Sequence, residues 1–301
     1  MTTVAITLCT FRRPGVADTL RSIFSLELPK GVDLRVIVAD NDTAESGRAA
    51  VEGAAADAPC PVTYLHAPAG NISIARNAGL DHAGDADWVA FLDDDEVADP
   101  EWLARLLNCA AETGSDAVFG PSIAEYDPGA PDWMRNGSYH SNIPASNAGD
   151  VITGHTCNAL VRWKGKAWRD IRFDLERGRS GGEDTAYFFW LHRAGARFAL
   201  CPEAVVREVV EPQRLSLRWL AKRKFRCGQS FSASATGRSS KLRLAAAASA
   251  KASACALGAA ANLLSAERRN YWLLRGLLHA GVVAGCFNIR QTNIYGLGDA
   301  G

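Results

Sequence analysis

The sequence predicts an α/β fold: an open, mostly parallel sheet flanked by helices, followed by a helical extension at the C-terminus. Three observations carry this. Short apolar runs alternate with helical patterns over residues 4–120, at the spacing of strand–helix–strand units. Three of those runs stop abruptly at polar clusters, residues 10–13, 40–42 and 93–95, as strands do where they open into a ligand crevice. Finally, the formal net charge of zero conceals an asymmetry: residues 1–206 carry 18 Lys+Arg against 29 Asp+Glu, and residues 207–301 carry 15 against 4.

Taken in order, residues 4–9 form a β-rich run that ends in Thr10-Phe11-Arg12-Arg13-Pro14, and Val16, Leu20, Ile23 and Phe24 then share one helical face. Residues 34–39 repeat the pattern, stopping at Asp40-Asn41-Asp42 before an Ala-rich helical stretch over 44–56. A third strand is expected at 62–65, and Gly70-Asn71 leads into a helix over 72–83. Residues 88–92, Trp-Val-Ala-Phe-Leu, are continuously apolar as in a buried central strand, and three Asp follow at once. A helix over 100–113 has Pro100 near its first turn, and residues 116–120 read as another strand. Residues 121–150 are rich in Pro, Asn and Ser, with Trp133, Tyr139 and His140 interspersed. This is the composition of a long loop over a crevice, where an aromatic face such as Trp133 stacks on a sugar ring or fills a core. Strand-like sequence returns over 151–163, and Gly181-Gly182-Glu183-Asp184 opens a helix that reaches Gly195.

The tail is helical in three stretches: a basic one over 215–228, an Ala-rich one over 242–264 and an apolar one over 271–286. The window 244–266 is long enough to cross a bilayer, but Ala and Ser contribute little insertion free energy and Lys251 opposes it. An interfacial helix beside Lys222-Arg223-Lys224-Phe225-Arg226 fits better, giving the tail an anionic membrane surface as its expected partner. Neutralisation of the acidic part across an internal interface explains the same asymmetry.

Several classes are disfavoured. No Gly-x-Gly-x-x-Gly follows the first strand and no Gly-x-x-x-x-Gly-Lys-Ser/Thr occurs, so the phosphate-cradling loops of dinucleotide folds and P-loops are missing. The 8 cysteines are scattered singly, which argues against a zinc site or disulfide framework and for a reducing compartment. The N-terminus has no basic start before its short apolar run and reads as a strand, not a signal peptide. No nucleic-acid partner is expected.

In an extended backbone Asp93 and Asp95 point one way and Asp94 the other, so two carboxylates converge. That pair suits Mg²⁺ or another hard cation that also holds phosphate oxygens, although three Asp in isolation serve equally well as an acidic surface turn. Glu183 and Asp184 sit in the first turn of a helix, where acids commonly complement the dipole; placed after the loop region, one of them can also take a proton from an incoming hydroxyl.

In this order and spacing the residues resemble the family 2 glycosyltransferases, inverting enzymes with a GT-A fold, over roughly residues 3–212. The resemblance implies that Thr10, Phe11 and Arg12 form the loop touching the nucleotide base, that Asp40, with Asp42 beside it, contacts uracil, and that Asn71 and Arg76 lie in the segment reaching base or phosphate. It implies that Asp93 faces the ribose, Asp95 a Mn²⁺ or Mg²⁺ ion and Asp94 the loop or donor sugar. Asp184 would be the catalytic base, with Glu183 its partner. Many members carry a metal-binding His after the last core strand; here the chain reads Pro202-Glu203-Ala204-Val205-Val206-Arg207-Glu208, and Glu208 offers an oxygen ligand instead. The Gln-x-x-Arg-Trp string of processive relatives is missing, since Arg218-Trp219 has no Gln three places before it.

The expectation is therefore a GT-A catalytic domain over 1–212, with a donor half to about 120 and an acceptor half over about 121–212, and a basic extension over 213–301. Its activity would be metal-dependent transfer of one sugar from a UDP-sugar to a glycan or polyprenyl-diphosphate-linked glycan, as in bacterial exopolysaccharide assembly. It would act in the cytoplasm, peripherally at the inner face of the membrane. Two alternatives are a nucleotidyltransferase making the sugar nucleotide and a non-catalytic nucleotide-sugar or glycan binder.

Overall fold

The computed structural model describes residues 1–144, 146, 150–232 and 237–289, so part of the loop region and the end of the tail drawn above lie outside the described residues. In chain order the strands are β1 (Thr2–Thr10), β2 (Val32–Asp40), β3 (Val62–His66), β4 (Trp88–Leu92), β5 (Glu96–Ala98), β6 (Ala117–Phe119), β7 (Ser122–Glu125), β8 (Asn158–Arg162), β9 (Phe198–Leu200) and β10 (Val206–Val209). The helices are α1 (Val16–Phe24), α2 (Arg48–Ala55), α3 (Ile72–His82), α4 (Trp102–Thr113), α5 (Asp132–Gly137), α6 (Glu183–Arg193), α7 (Leu217–Phe231), α8 (Arg238–Ala261) and α9 (Ala266–Cys286).

The chain groups into two compact units: among the described residues, one comprises 1–123 and 142–208, the other 124–141 and 209–289. Segment 124–141, which the sequence reading placed in the acceptor half, thus groups with the tail helices.

The first unit holds a seven-stranded sheet in the order β3-β2-β1-β4-β8-β6-β9. It is α/β and mostly parallel, as expected, with β8 alone running against its neighbours β4 and β6. Consequently β4 is parallel to β1 on one side and antiparallel to β8 on the other. The chain winds outward from β1 through β2 to β3, then returns to place β4 on the opposite side of β1. That reversal opens a crevice at the carboxyl ends of β1 and β4.

Alternation along the strands fills both faces of the sheet. Val4, Ile6 and Leu8 of β1 join Trp88, Ala90 and Leu92 of β4 in a core with Leu20 of α1 and Trp102 and Leu106 of α4. Ala5, Val89 and Phe91 enter the opposite core with Leu80 of α3 and Tyr187, Phe188 and Leu191 of α6. A fully buried Leu or Phe contributes about 1.5–3 kcal/mol over an exposed one, so these rows fix the strand register.

In the second unit Met134, Tyr139, Leu220 and Leu274 form a small core joining α5 to α7 and α9. Helices α7 and α9 approach through glycines: a Cβ on Gly228 would stand 2.0 Å from the Leu278 carbonyl oxygen, and one on Gly281 1.9 Å from that of Phe225. Ser216 and Ser265 cap α7 and α9 by accepting from the Trp219 and Arg268 backbone N–H groups.

Candidate active site

The polar clusters predicted at the ends of β1 and β4 do meet at the crevice. Arg13, just past β1, pairs with Asp95 and brings its Nε to 3.7 Å from Asp94 Oδ1. The acids themselves do not continue the strand. The Glu96 N–H donates to the Asp93 carbonyl at 3.3 Å, and the Asp93 N–H donates to Glu96 Oε2 at 3.1 Å, so residues 93–96 close a turn before β5. The extended alternation expected from sequence is thus replaced by a turn, which nonetheless buries Asp94 and leaves Asp93 and Asp95 partly exposed. Burial pushes the Asp94 carboxyl up to about 7 despite the pull of Arg13, and Oδ2 of Asp94 has no hydrogen-bond partner among the described residues. The buried Glu96 carboxyl is raised as well, by burial first and then by the charge of Asp93.

Such mutual repulsion among oxygen donors fits a hard cation. Among the described residues no three His, Cys, Asp or Glu side chains form a ready cage, and a hard cation held by only one or two carboxylates takes its remaining ligands from phosphate and water. Glu208 lies in register with Glu96 across the β5–β10 pair, beside the same turn.

The loop that follows β2 is organised around Asp40, whose side chain is fully buried. Its Oδ1 accepts from the Asp42 N–H at 2.9 Å, and its Oδ2 accepts from the Gly47 N–H and the Tyr64 hydroxyl, each at 2.7 Å. Asp40 therefore shapes the loop that carries Asp42, which receives Arg12 Nη2 at 3.1 Å. Hydrogen bonding to Arg12 holds Asp42 below the usual carboxylate range. Arg12 itself is exposed, with its guanidinium 4.9 Å above the Phe11 ring, while Thr10 is buried at the end of β1. Asn71 caps α3: its Oδ1 accepts from the Ser73 N–H at 3.0 Å and its Nδ2 donates to the Leu175 carbonyl at 2.9 Å.

Arg76 links the two acidic clusters. Its side chain, 9% exposed, pairs with Glu183 and lies 3.6 Å from Asp93 Oδ1. Burial pushes Glu183 up against the pull of Arg76. The next residue, Asp184, accepts from the Thr185 N–H at 2.6 Å and contacts His155 Nδ1 at 2.8 Å. Burial alone would raise Asp184, but His155, Arg76 and the Thr185 N–H together outweigh it and bring the carboxyl down to about 2. Aromatic packing sets α6 against β4. Phe91, immediately before the acidic turn, meets Phe173 at 5.9 Å and Tyr187 and Phe188 each at 6.2 Å, all edge-on.

Trp133 belongs to the second unit, half-buried with its ring 5.5 Å from Tyr139. Three participants escaped the sequence reading: Arg13 as an ion-pair partner, Glu96 as the brace of the turn, and His155. Arg13 lies inside the 10–13 cluster and Glu96 directly follows the three Asp; His155 sits in the stretch expected to be strand over 151–163, ahead of the residues that form β8.

Residues 5–165 match the family model described as Glycosyl transferase family 2, and residues 88–289 match that of Glycosyl transferase family group 2. The chain is 47% identical over 296 residues to the succinoglycan biosynthesis protein ExoM of Rhizobium meliloti (strain 1021), covering 97% of this chain and 96% of that protein. It is 30% identical over 205 residues to a pre-mycofactocin glycosyltransferase of Mycobacterium tuberculosis, covering 65% of this chain and 42% of the relative. Among solved structures, the mannosyltransferase PcManGT from Pyrobaculum calidifontis, in complex with GDP-Man and Mn²⁺, superposes with a TM-score of 0.66 at 20% identity, covering 95% of this chain and 87% of that one.

Proposed function

The chain belongs to glycosyl transferase family 2 and transfers a sugar from a nucleotide-sugar donor, and we propose that it is a metal-dependent, inverting enzyme that adds one sugar from a UDP-sugar to a glycan or polyprenyl-diphosphate-linked glycan. The observation that carries this reading is Arg76, which ties Asp93 at the end of the donor crevice to Glu183 beside Asp184. Donor and acceptor chemistry thereby share one rigid support. In the proposed reaction the Arg12–Asp42 pair on the Asp40-shaped loop receives the base and Asp93 the ribose. Asp95, with Glu208 near it, would hold Mn²⁺ or Mg²⁺; when bound, the ion neutralises charge on the departing diphosphate. Asp184 takes the proton of the acceptor hydroxyl as its oxygen attacks the anomeric carbon opposite the leaving group, which inverts that centre. The relation to a succinoglycan biosynthesis protein supports an exopolysaccharide glycan as acceptor.

A panel of UDP- and GDP-sugars, assayed for nucleoside diphosphate release with Mn²⁺ or with a chelator, tests the reading. Release from a UDP-sugar that falls at least about tenfold on chelation is expected. Release from GDP-sugars alone would replace the base assignment, and no release from any donor would favour the binding-protein alternative. Pyrophosphate formed from UTP and a sugar 1-phosphate would instead identify a nucleotidyltransferase.

We also propose that the second unit docks on an anionic membrane surface. Among the described residues α8 is the one helix long and apolar enough to cross a bilayer, with mean hydropathy 1.3 in its best window and 17% of that window buried. Leu257, Leu263 and Leu264 are exposed near the turn into α9, close to Arg268 and Arg269. Apolar insertion flanked by cations, each worth about 1 kcal/mol near such a surface, fits peripheral docking. Co-sedimentation with phosphatidylglycerol vesicles is expected at low salt and is expected to fall severalfold in Leu263→Asp/Leu264→Asp. Recovery of wild-type protein in the supernatant at low salt would count against docking.

A further inference from the structure

We propose that His155 is a positioning residue for the sugar transfer, holding the Asp184 carboxylate in one orientation through its Nδ1–H; this rests on the reading of Asp184 as the base. The contacts around that carboxylate are specific. Oδ1 accepts from the Thr185 N–H at 2.6 Å and lies 3.3 Å from Thr185 Oγ1, while Oδ2 receives His155 Nδ1 at 2.8 Å. A carboxylate offers about four lone-pair sites, so these three contacts leave the second lone pair of Oδ2 for an acceptor hydroxyl. The carboxylate partner places a proton on Nδ1, so the ring donates.

The segment before His155 is built to keep it there. Thr153 Oγ1 donates to the Thr185 carbonyl at 3.0 Å, tying the segment to the same turn of α6 that carries Asp184. Gly154 is pressed against Phe119: a Cβ at this position would stand 2.1 Å from the ring's Cε1. Phe119 in turn packs edge-on against Phe188 of α6 at 4.8 Å. After His155, Thr156 is buried and Cys157 Sγ accepts from Asn142 Nδ2 at 3.3 Å. The segment carrying His155 is thus tied to α6, the helix that carries Asp184.

In the transfer the acceptor O–H bond breaks and its proton passes to Asp184. The acceptor oxygen bonds to the anomeric carbon as the bond to the diphosphate oxygen breaks, with its electron pair leaving on the nucleoside diphosphate. His155 retains its proton throughout. Its contribution is alignment, and a displacement of about 1 Å in such a group costs up to about 100-fold in rate.

The test uses the full chain, nucleoside diphosphate release from its best donor in the panel, and UDP binding by calorimetry. His155→Ala is expected to lower kcat about 10- to 100-fold with donor KM and UDP affinity within twofold. His155→Asn, whose amide N–H overlaps the Nδ1 position, is expected to recover kcat to within about threefold of wild type. A kcat within twofold of wild type in His155→Ala, or an Asn variant as slow as the Ala variant, would overturn the proposal. Asp184→Asn runs beside them. Wild-type turnover by that variant removes the base reading itself, whereas an inactive Asp184→Asn with an active His155→Ala removes only the role of His155.

Discussion

Asp184→Asn is expected to slow sugar transfer by about 10²- to 10⁴-fold while leaving UDP affinity within a factor of two, the range a positioned general base contributes. The substitution preserves volume and leaves an oxygen to accept from the Thr185 N–H, so that contact in the first turn of α6 is kept. What disappears is the ability to take a proton. Because His155, Arg76 and the Thr185 N–H together hold the carboxyl at about 2 against the upward push of burial, Asp184 is ionised at every pH above about 4. Protonation of this residue therefore does not limit transfer near neutrality, and the variant should be slow across the whole pH profile. Single-turnover transfer combined with calorimetry of UDP separates the two effects. Equal rates for variant and wild type would move the base elsewhere.

Arg76→Met is expected to have the largest effect on stability, about 3–5 kcal/mol in denaturant unfolding, with loss of donor turnover in whatever folds. The Arg76–Glu183 pair is almost wholly buried, at 9% and 4% side-chain exposure. Removing the cation leaves Glu183 without its partner and takes the nearest positive charge from Asp93. Burial already pushes the Glu183 carboxyl upward with Arg76 present, so the isolated acid would fold protonated or not at all. Arg76→Met/Glu183→Leu removes both charges and is expected to recover most of the stability but not the activity. Unfolding curves of the two variants, compared with wild type, decide this. A single variant as stable as wild type would show that Arg76 is not the support it is taken to be.

Much of this was legible in the chain itself. The runs 88–92 and 34–39 were recognisable as strands because both faces of a covered sheet are apolar, and their abrupt polar ends marked the crevice. The order of Asp40, Arg76, Asp93-Asp94-Asp95 and Glu183-Asp184 was enough to place the chain beside the family 2 glycosyltransferases. Individual roles were less legible. Asp40 is expected from the resemblance to contact the base, and the structure adds that its oxygens accept from the Asp42 and Gly47 N–H groups and the Tyr64 hydroxyl. Asn71 was read with the donor segment, yet it caps α3. Trp133 stood in a loop-like composition, yet its ring packs on Tyr139 within a unit that also contains the tail helices.

The sequence by itself determined the alternation of strands and helices, the crevice-facing strand ends and the position of the acids, because hydrophobic period and chain breaks are local. Only the tertiary structure decided that β8 runs antiparallel, that residues 93–96 turn, that Arg76 bridges Asp93 and Glu183, and that His155 meets Asp184. Each of these joins residues far apart in the chain or depends on what the surrounding core leaves room for. No local pattern encodes such a pairing, since it exists only once the sheet and its covering helices have packed.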